Sequence, residues 1–265
     1  MIPKKIHYCW FGGKEKPESV KRCIRSWETH LPDYKIVEWN ESNFNTSCCE
    51  FSKQAAQKEK LAFVSDVARI FALQKEGGIY FDTDVEVKNN FDEFLENPFF
   101  IGMETAENLC TAVIGSEQNH PFLQKILDHY FSLTVFKEIT NNQIITNLLN
   151  EGYKFTPKDD FHNINNEIFV YPSHFFSLDI PKNYSVHYFI GTWHEAKENP
   201  YKEHLQLLYH TKELIKIPNA KRELNNIINN QKLLSEDDIL DLVPFKNILH
   251  YSLKKLKSKI YKGYR

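Results

Sequence analysis

The sequence has no excess charge of either sign, no cysteine framework, no long apolar run and no internal repeat, and each absence removes a class of protein. A formal net charge of -2 over 265 residues excludes a strong overall bias toward nucleic acid, although a local basic patch remains allowed. The five cysteines (Cys9, Cys23, Cys48, Cys49 and Cys110) are odd in number and lack framework spacing. The adjacent Cys48-Cys49 pair is neither a C-x-x-C motif nor a good disulfide, so reduced thiols in a cytosol are expected. No stretch approaches the ~18 apolar residues that span a bilayer. Met1 leads into Pro3-Lys4-Lys5 and then a strand without a signal-peptide pattern, so residence inside the cell is expected.

What is present is a globular composition: 42% hydrophobic residues, with 20 Phe and 13 Tyr, enough for a full core. Lys5 to Trp10 reads as a first strand before a Gly12-Gly13 turn, Pro17 to about His30 as a helix stopped by Pro32, and Tyr34 to Trp39 as a second strand. A long helical pattern runs from about Phe51 to Glu76, with Leu61, Val64, Val67, Ala68, Phe71 and Ala72 as its apolar stripe and Gly77 as its cap. Strands are expected at Phe99 to Met103, Thr111 to Ile114, Ile168 to Tyr171 and Tyr184 to Phe189, a short turn at Phe91 to Leu95, and helices at Pro121 to Phe131 and Asn142 to Asn150. Early β-α-β alternation followed by mixed pieces predicts an α/β sheet covered on both faces. Residues 1–200 are read as one catalytic domain and 201–265 as a helical extension.

Gly77 to Val87 read GGIYFDTDVEV, a hydrophobic strand that ends on Asp82-Thr83-Asp84. If the strand continued through them, the two aspartates would share one face, roughly 6.6 to 7 Å apart at ~3.3 Å per residue. The carboxyl end of a strand in an open α/β sheet is where ligands bind. Two acids there repel one another unless a positive group lies between them, and a divalent cation carrying a diphosphate satisfies that need. Upstream, Asp66 and Arg69 stand three apart, ~60° from each other on an otherwise apolar helical face. They suit a buried ion pair, and equally a carboxylate and guanidinium facing sugar hydroxyls or phosphate oxygens. His7 reads as a structural histidine, and Trp10 reads equally as core or as a binding residue. Glu104, just past a strand, is a candidate for a carboxylate nucleophile of the kind retaining hydrolases use.

The motifs IPKKIHYCWFGG (Ile2 to Gly13), SDxxR (Ser65 to Arg69), GGIYFDTD (Gly77 to Asp84) and VHYFIGTW (Val186 to Trp193) occur in this order over about residues 2 to 195. In them the chain resembles the DXD-containing sugar transferases, the family of bacterial capsular polysaccharide transferases, yeast initiating mannosyltransferases and the glucosyltransferase domains of clostridial toxins. The resemblance implies a GT-A fold and a retaining transfer of a hexose from a nucleotide sugar, a UDP-sugar first, with Mn²⁺ or Mg²⁺. It implies further that Trp10 stacks on the base, that Asp66, Arg69 and Tyr80 lie at the donor, and that Asp82 touches ribose and sugar. Asp84 and His187 would ligate the metal, and Trp193 would close over the diphosphate. The bacterial branch is closest in length and spacing, which implies a glycan acceptor, lipid-linked in some members, in capsule or lipopolysaccharide synthesis. Tyr188 and Thr192 depart from a His and a Ser common in bacterial relatives, and a Gly-Pro of many relatives is absent near Thr140 to Gln143.

Two rivals fit some of the same residues. FDTDVEV matches the signature of phosphatases in which Asp82 would be phosphorylated and Asp84 would act as acid and base. Those enzymes carry the motif on their first strand and need a later acidic cluster that Asp159-Asp160 and Asp237-Asp238 do not reproduce. A non-catalytic carbohydrate-binding module is the second rival, against which stands the full set of Asp66, Arg69, Asp82 and Asp84. Finally, Pro244 to Arg265 carries seven Lys/Arg and no acid, with Phe245, Leu249, Leu253, Leu256 and Ile260 at helical spacing. That pattern suits a helix lying on the inner face of an anionic membrane, and equally a docked helix with a solvated lysine face.

Overall fold

A computed structural model describes residues 1–104, 108–179 and 183–190, together with Leu249 and Ser252. The chain divides into two compact units, Met1–Gln206 and Leu207–Arg265. Apart from Leu249 and Ser252, every described residue belongs to the first. The expected extension from residue 201, its basic tail and Trp193 therefore lie outside the described residues, Leu249 and Ser252 excepted. Among the described residues no helix is long and apolar enough to cross a membrane.

The first unit is built on a seven-stranded sheet. In chain order its strands are β1 (Lys5–Cys9), β2 (Lys35–Trp39), β3 (Gly78–Phe81), β5 (Phe99–Met103), β6 (Leu109–Ser116), β7 (His162–Ile164) and β8 (Ile168–Tyr171). Their spatial order is β2-β1-β3-β6-β5-β8-β7. β1 pairs in parallel with β2 and β3, and β5 with β8, while β6 runs against both β3 and β5 and β7 against β8. Hence β1, β2, β3, β5 and β8 all end on one edge. β4 (Val85–Val87) and β9 (Ser185–His187) form a separate antiparallel pair. The helices are α1 (Glu18–His30), α2 (Glu50–Gln57), α3 (Leu61–Glu76), α4 (Pro121–Ser132), α5 (Asn141–Tyr153) and the short α6 (Ser173–Phe176).

Alternation along the strands loads both faces of the sheet. One core gathers Phe51, Val64, Val67, Phe122 and Ile145 from α2 to α5; the other gathers Trp27 of α1 with Phe81, Phe91, Phe94 and Phe176. The α/β class and the two-faced covering expected from the sequence are what the structure has. Two expectations need correction. The single helix from Phe51 to Glu76 is two helices, because Lys58-Glu59-Lys60 offers no apolar side chain to either core and Glu59 turns into the left-handed region at φ 57°. Likewise the strand entering the acidic motif stops at Phe81. Asp82 adds one more ladder bond to the Ala112 carbonyl (2.9 Å), and the Val85 N–H then closes a turn on the Asp82 carbonyl (3.0 Å).

The hinge into that strand is the double glycine. Gly77 (φ 61°) ends α3, donating its N–H to the Leu73 carbonyl at 2.8 Å. Gly78 follows at φ 120°, where a Cβ would stand 2.8 Å from the Lys5 carbonyl oxygen. His7 packs beneath. Its Nε2 meets the Gly77 carbonyl at 2.7 Å and its Nδ1 accepts from Trp39 Nε1 at 3.0 Å, which fixes the neutral Nε2–H tautomer. His7 is the structural histidine the sequence suggested.

Candidate active site

The acidic turn lies on the sheet edge where β1, β3 and β5 end. Ligand atoms of Asp82, Asp84 and His187 all fall within 4.8 Å of one another, closer than an extended strand would hold its two aspartates. The turn gathers the two carboxylates, and β9 carries the imidazole to them by pairing Val85 with His187. His187 Nε2 stands 3.3 Å from Asp84 Oδ1, and the Ile190 N–H donates to Asp84 Oδ2 at 2.9 Å. The Tyr188 N–H donates to the Asp84 backbone carbonyl at 3.0 Å. Residues 187–190 thus fold over Asp84, and two motifs a hundred positions apart in sequence meet.

Charge balance follows from these contacts. Burial pushes the Asp84 carboxyl up, but His187 and the Ile190 N–H outweigh it, and the net shift is downward. For His187, burial favours the neutral ring, yet the Asp84 charge and the Cys110 thiol (Sγ 4.0 Å from Nδ1) raise it well above its ordinary value. His187 beside Asp84 and Arg69 beside Asp82 supply positive charge that two adjacent acids require.

Asp82 is held from below. Tyr80 Oη donates to its Oδ1 at 2.9 Å, and Arg69 reaches it with Nη2 at 3.3 Å and Nη1 at 3.4 Å. Arg69 in turn pairs with Asp66 at 2.9 Å, both side chains only 6% and 5% exposed, and its guanidinium lies 4.7 Å over the Tyr80 ring. Burial raises the Asp66 carboxyl above the ordinary range, with Arg69 offsetting part of the effect. The sequence allowed Asp66 and Arg69 a structural role and a sugar-facing role together. Their geometry is that of a buried pair that orients Asp82.

The network continues where sequence reasoning had little to work with. The β5/β6 register shifts between Ile101 and Gly102, and the irregularity sets Thr111 beside Arg69, whose Nη1 donates to the Thr111 carbonyl at 2.8 Å. Thr111 Oγ1 donates to Asn142 Oδ1 at 2.6 Å, and Asn142 Nδ2 donates to Glu104 Oε2. Asn142 sits in the first turn of α5, capped by Thr140, so it reaches the edge by helix placement rather than by any motif. Burial raises the Glu104 carboxyl, and His187 is the largest opposing influence. Trp10, at the end of β1, is half-buried; its Nε1 donates to the Lys14 carbonyl at 2.7 Å and Lys16 Nζ lies 5.8 Å over its ring. Beside it Glu38 accepts from Tyr8 Oη at 2.5 Å and pairs with Lys16 at 2.7 Å, a polar group the sequence did not single out. Asp159 is absorbed elsewhere, accepting from the backbone and hydroxyl of Ser173 at 2.7 and 2.9 Å, which removes it as a phosphatase-type partner of the acidic turn.

Residues 17–100 match the family model described as the glycosyltransferase sugar-binding region containing the DXD motif. Among curated proteins the chain is similar to inositol phosphoceramide mannosyltransferase 3 of Schizosaccharomyces pombe, 32% identical over 130 residues, 48% of this chain and 36% of that one. It is also similar to mannosyl phosphorylinositol ceramide synthase CSH1 of Saccharomyces cerevisiae, 28% identical over 137 residues, 49% of this chain and 36% of that one. The chain thus spans about a third of the length of these curated relatives. A solved structure with a similar backbone is the PaToxG glycosyltransferase, at 21% identity and a TM-score of 0.48 over 58% of this chain and 70% of that one. The resemblance to the DXD-containing sugar transferases read from the motifs is what the family model and the two yeast relatives show.

Proposed function

We propose that the chain is a metal-dependent, retaining GT-A-type glycosyltransferase that moves a hexose from a nucleotide sugar to a glycan or glycolipid acceptor. The observation that carries this reading is the convergence of Asp82, Asp84 and His187 within 4.8 Å inside a chain whose residues 17–100 match the DXD sugar-binding region. Two carboxylates and one imidazole fit a divalent cation, and the ring nitrogen favours Mn²⁺ over Mg²⁺. A cation bound there would neutralise the charge that develops on a departing diphosphate, an effect of several kcal/mol.

The chain's own residues do the rest. Arg69 and Tyr80 fix the Asp82 carboxylate, so its orientation is set before any ligand arrives, and Asp66 keeps Arg69 in register. Trp10 offers a ring just past the end of β1 for a base, one strand position from the acidic turn. Asp82, Asp84 and His187 would hold the cation and would not be free to attack the sugar, which favours a front-side displacement in which the leaving phosphate accepts the acceptor's proton. The yeast relatives carry the names of inositol phosphoceramide mannosyltransferases, so a mannosyl donor stands beside a UDP-hexose, and a lipid-borne acceptor beside the bacterial surface polysaccharide that motif spacing suggested. Cytoplasmic residence, with residues 244–265 against an anionic membrane, belongs to the same proposal and is supported by the basic sequence of that segment.

Incubation with UDP-glucose, UDP-galactose or GDP-mannose and MnCl₂ should release nucleoside diphosphate slowly from one of the three. Asp84→Asn should cut that release at least a hundredfold, in keeping with the loss of a metal-held charge in the transition state. Undiminished release by the variant would remove the cation from the mechanism.

A further inference from the structure

The carboxyl edge of the sheet reads as a line of positions. β1 runs into Trp10, β3 into Asp82-Thr83-Asp84 and β5 into Glu104, and Thr111 lies near the start of β6. Neighbouring strands lie ~4.8 Å apart, so Glu104 is offset from the acidic turn by about 10 Å, two strand steps, on the side away from Trp10. A nucleotide base at β1 and a diphosphate at β3 would direct the next part of the same ligand, the sugar ring, toward β6 and β5.

Glu104 meets it there with a defined posture. It stands outside the group of ligand atoms formed by Asp82, Asp84 and His187, yet inside their electrostatic reach, since both His187 and Asp82 act on its carboxyl. One of its oxygens accepts from Asn142 Nδ2. The other has no hydrogen-bond partner among the described residues. Asn142 is held by Thr111, which also carries the carbonyl that Arg69 grips, so the orientation of Glu104 is tied through three side chains to that of Asp82. A continuous polar chain that ends in a carboxylate oxygen without a partner among the described residues, two strand steps from the acidic turn, is a built hydroxyl-binding device.

We infer that Glu104 binds the transferred sugar of the nucleotide-sugar donor, accepting hydrogen bonds from its ring hydroxyls and selecting which hexose is held. This rests on the transferase reading and adds the sugar-facing wall of the same site. A carboxylate held rigid against one arrangement of hydroxyls discriminates strongly against another, because the mismatched sugar leaves it buried without a partner.

The test is calorimetric titration, with MnCl₂ present, of UDP, GDP, UDP-glucose, UDP-galactose and GDP-mannose into wild type, Glu104→Gln and Glu104→Asp. Glu104→Gln keeps the volume and an acceptor for Asn142, and matching thermal melts confirm the fold. The expected result is diphosphate affinity unchanged within about twofold and affinity for the preferred nucleotide sugar reduced about tenfold or more, as for loss of a charge-assisted hydrogen bond, with partial recovery in Glu104→Asp. Equal effects on diphosphate and nucleotide sugar, or no effect on either, would overturn the assignment. So would a variant whose only defect is a raised KM for acceptor. Failure of the wild type to bind any of the five nucleotides would instead sink the transferase reading, and this inference with it.

Discussion

His7 shows how much one side chain can fix. Both ring nitrogens are used, one donating to the Gly77 carbonyl and one accepting from Trp39, and burial holds its pKa below the ordinary value. Protonation would place a second N–H against the indole N–H, a buried donor facing a donor, at a cost of about 1–3 kcal/mol. Below about pH 6.5 the unfolded chain binds a proton that the folded chain refuses, so stability should fall as pH drops from there toward the depressed folded value. Thermal unfolding at pH 7.5 and 5.5 should show this loss, and His7→Gln, less stable at both, should show a shallower one. A variant as steep as wild type would shift the effect to another group, such as the buried His120, whose pKa is also lowered.

Junctions between elements decide where the site sits. Gly78 turns α3 into β3 at φ 120° with the Lys5 carbonyl against its α-carbon, whereas Glu59 occupies the left-handed region between α2 and α3 without any glycine to ease it. Gly78→Ala should therefore destabilise by roughly 1–3 kcal/mol, and Glu59→Gly should stabilise by up to about 1 kcal/mol, read as shifts in urea midpoint at constant slope. The two opposite signs together test the backbone reading. These same junctions mark the limit of what sequence discloses. Asp82 and Asp84 were legible because they are neighbours at the end of an apolar run, and Asp66 and Arg69 because a helix repeats. Thr111 and Asn142 were not, because the strand order β3-β6-β5 and a register irregularity put Thr111 next to Arg69, and the placement of α5 puts Asn142 next to Thr111. The break at Lys58–Lys60 was hidden too, since three charged residues are good helix formers locally and only the geometry of two separate packing faces ends the helix.

At the scale of the whole molecule, the segment 244–265 joins seven basic residues to a helical apolar stripe. Flotation with anionic vesicles should carry the full chain upward and leave a chain truncated at residue 243 at the bottom, with the difference vanishing in high salt. Equal flotation of both would place membrane contact elsewhere or nowhere. A different constraint comes from the pairing of β4 with β9. Asp84 and Ile190, 106 positions apart, must meet before the acidic turn is covered. At the ~5–20 residues per second of protein synthesis, the ribosome makes the second partner roughly 5–20 s after the first. During translation the acids of the turn therefore stand without their imidazole until β9 has been made and has paired with β4.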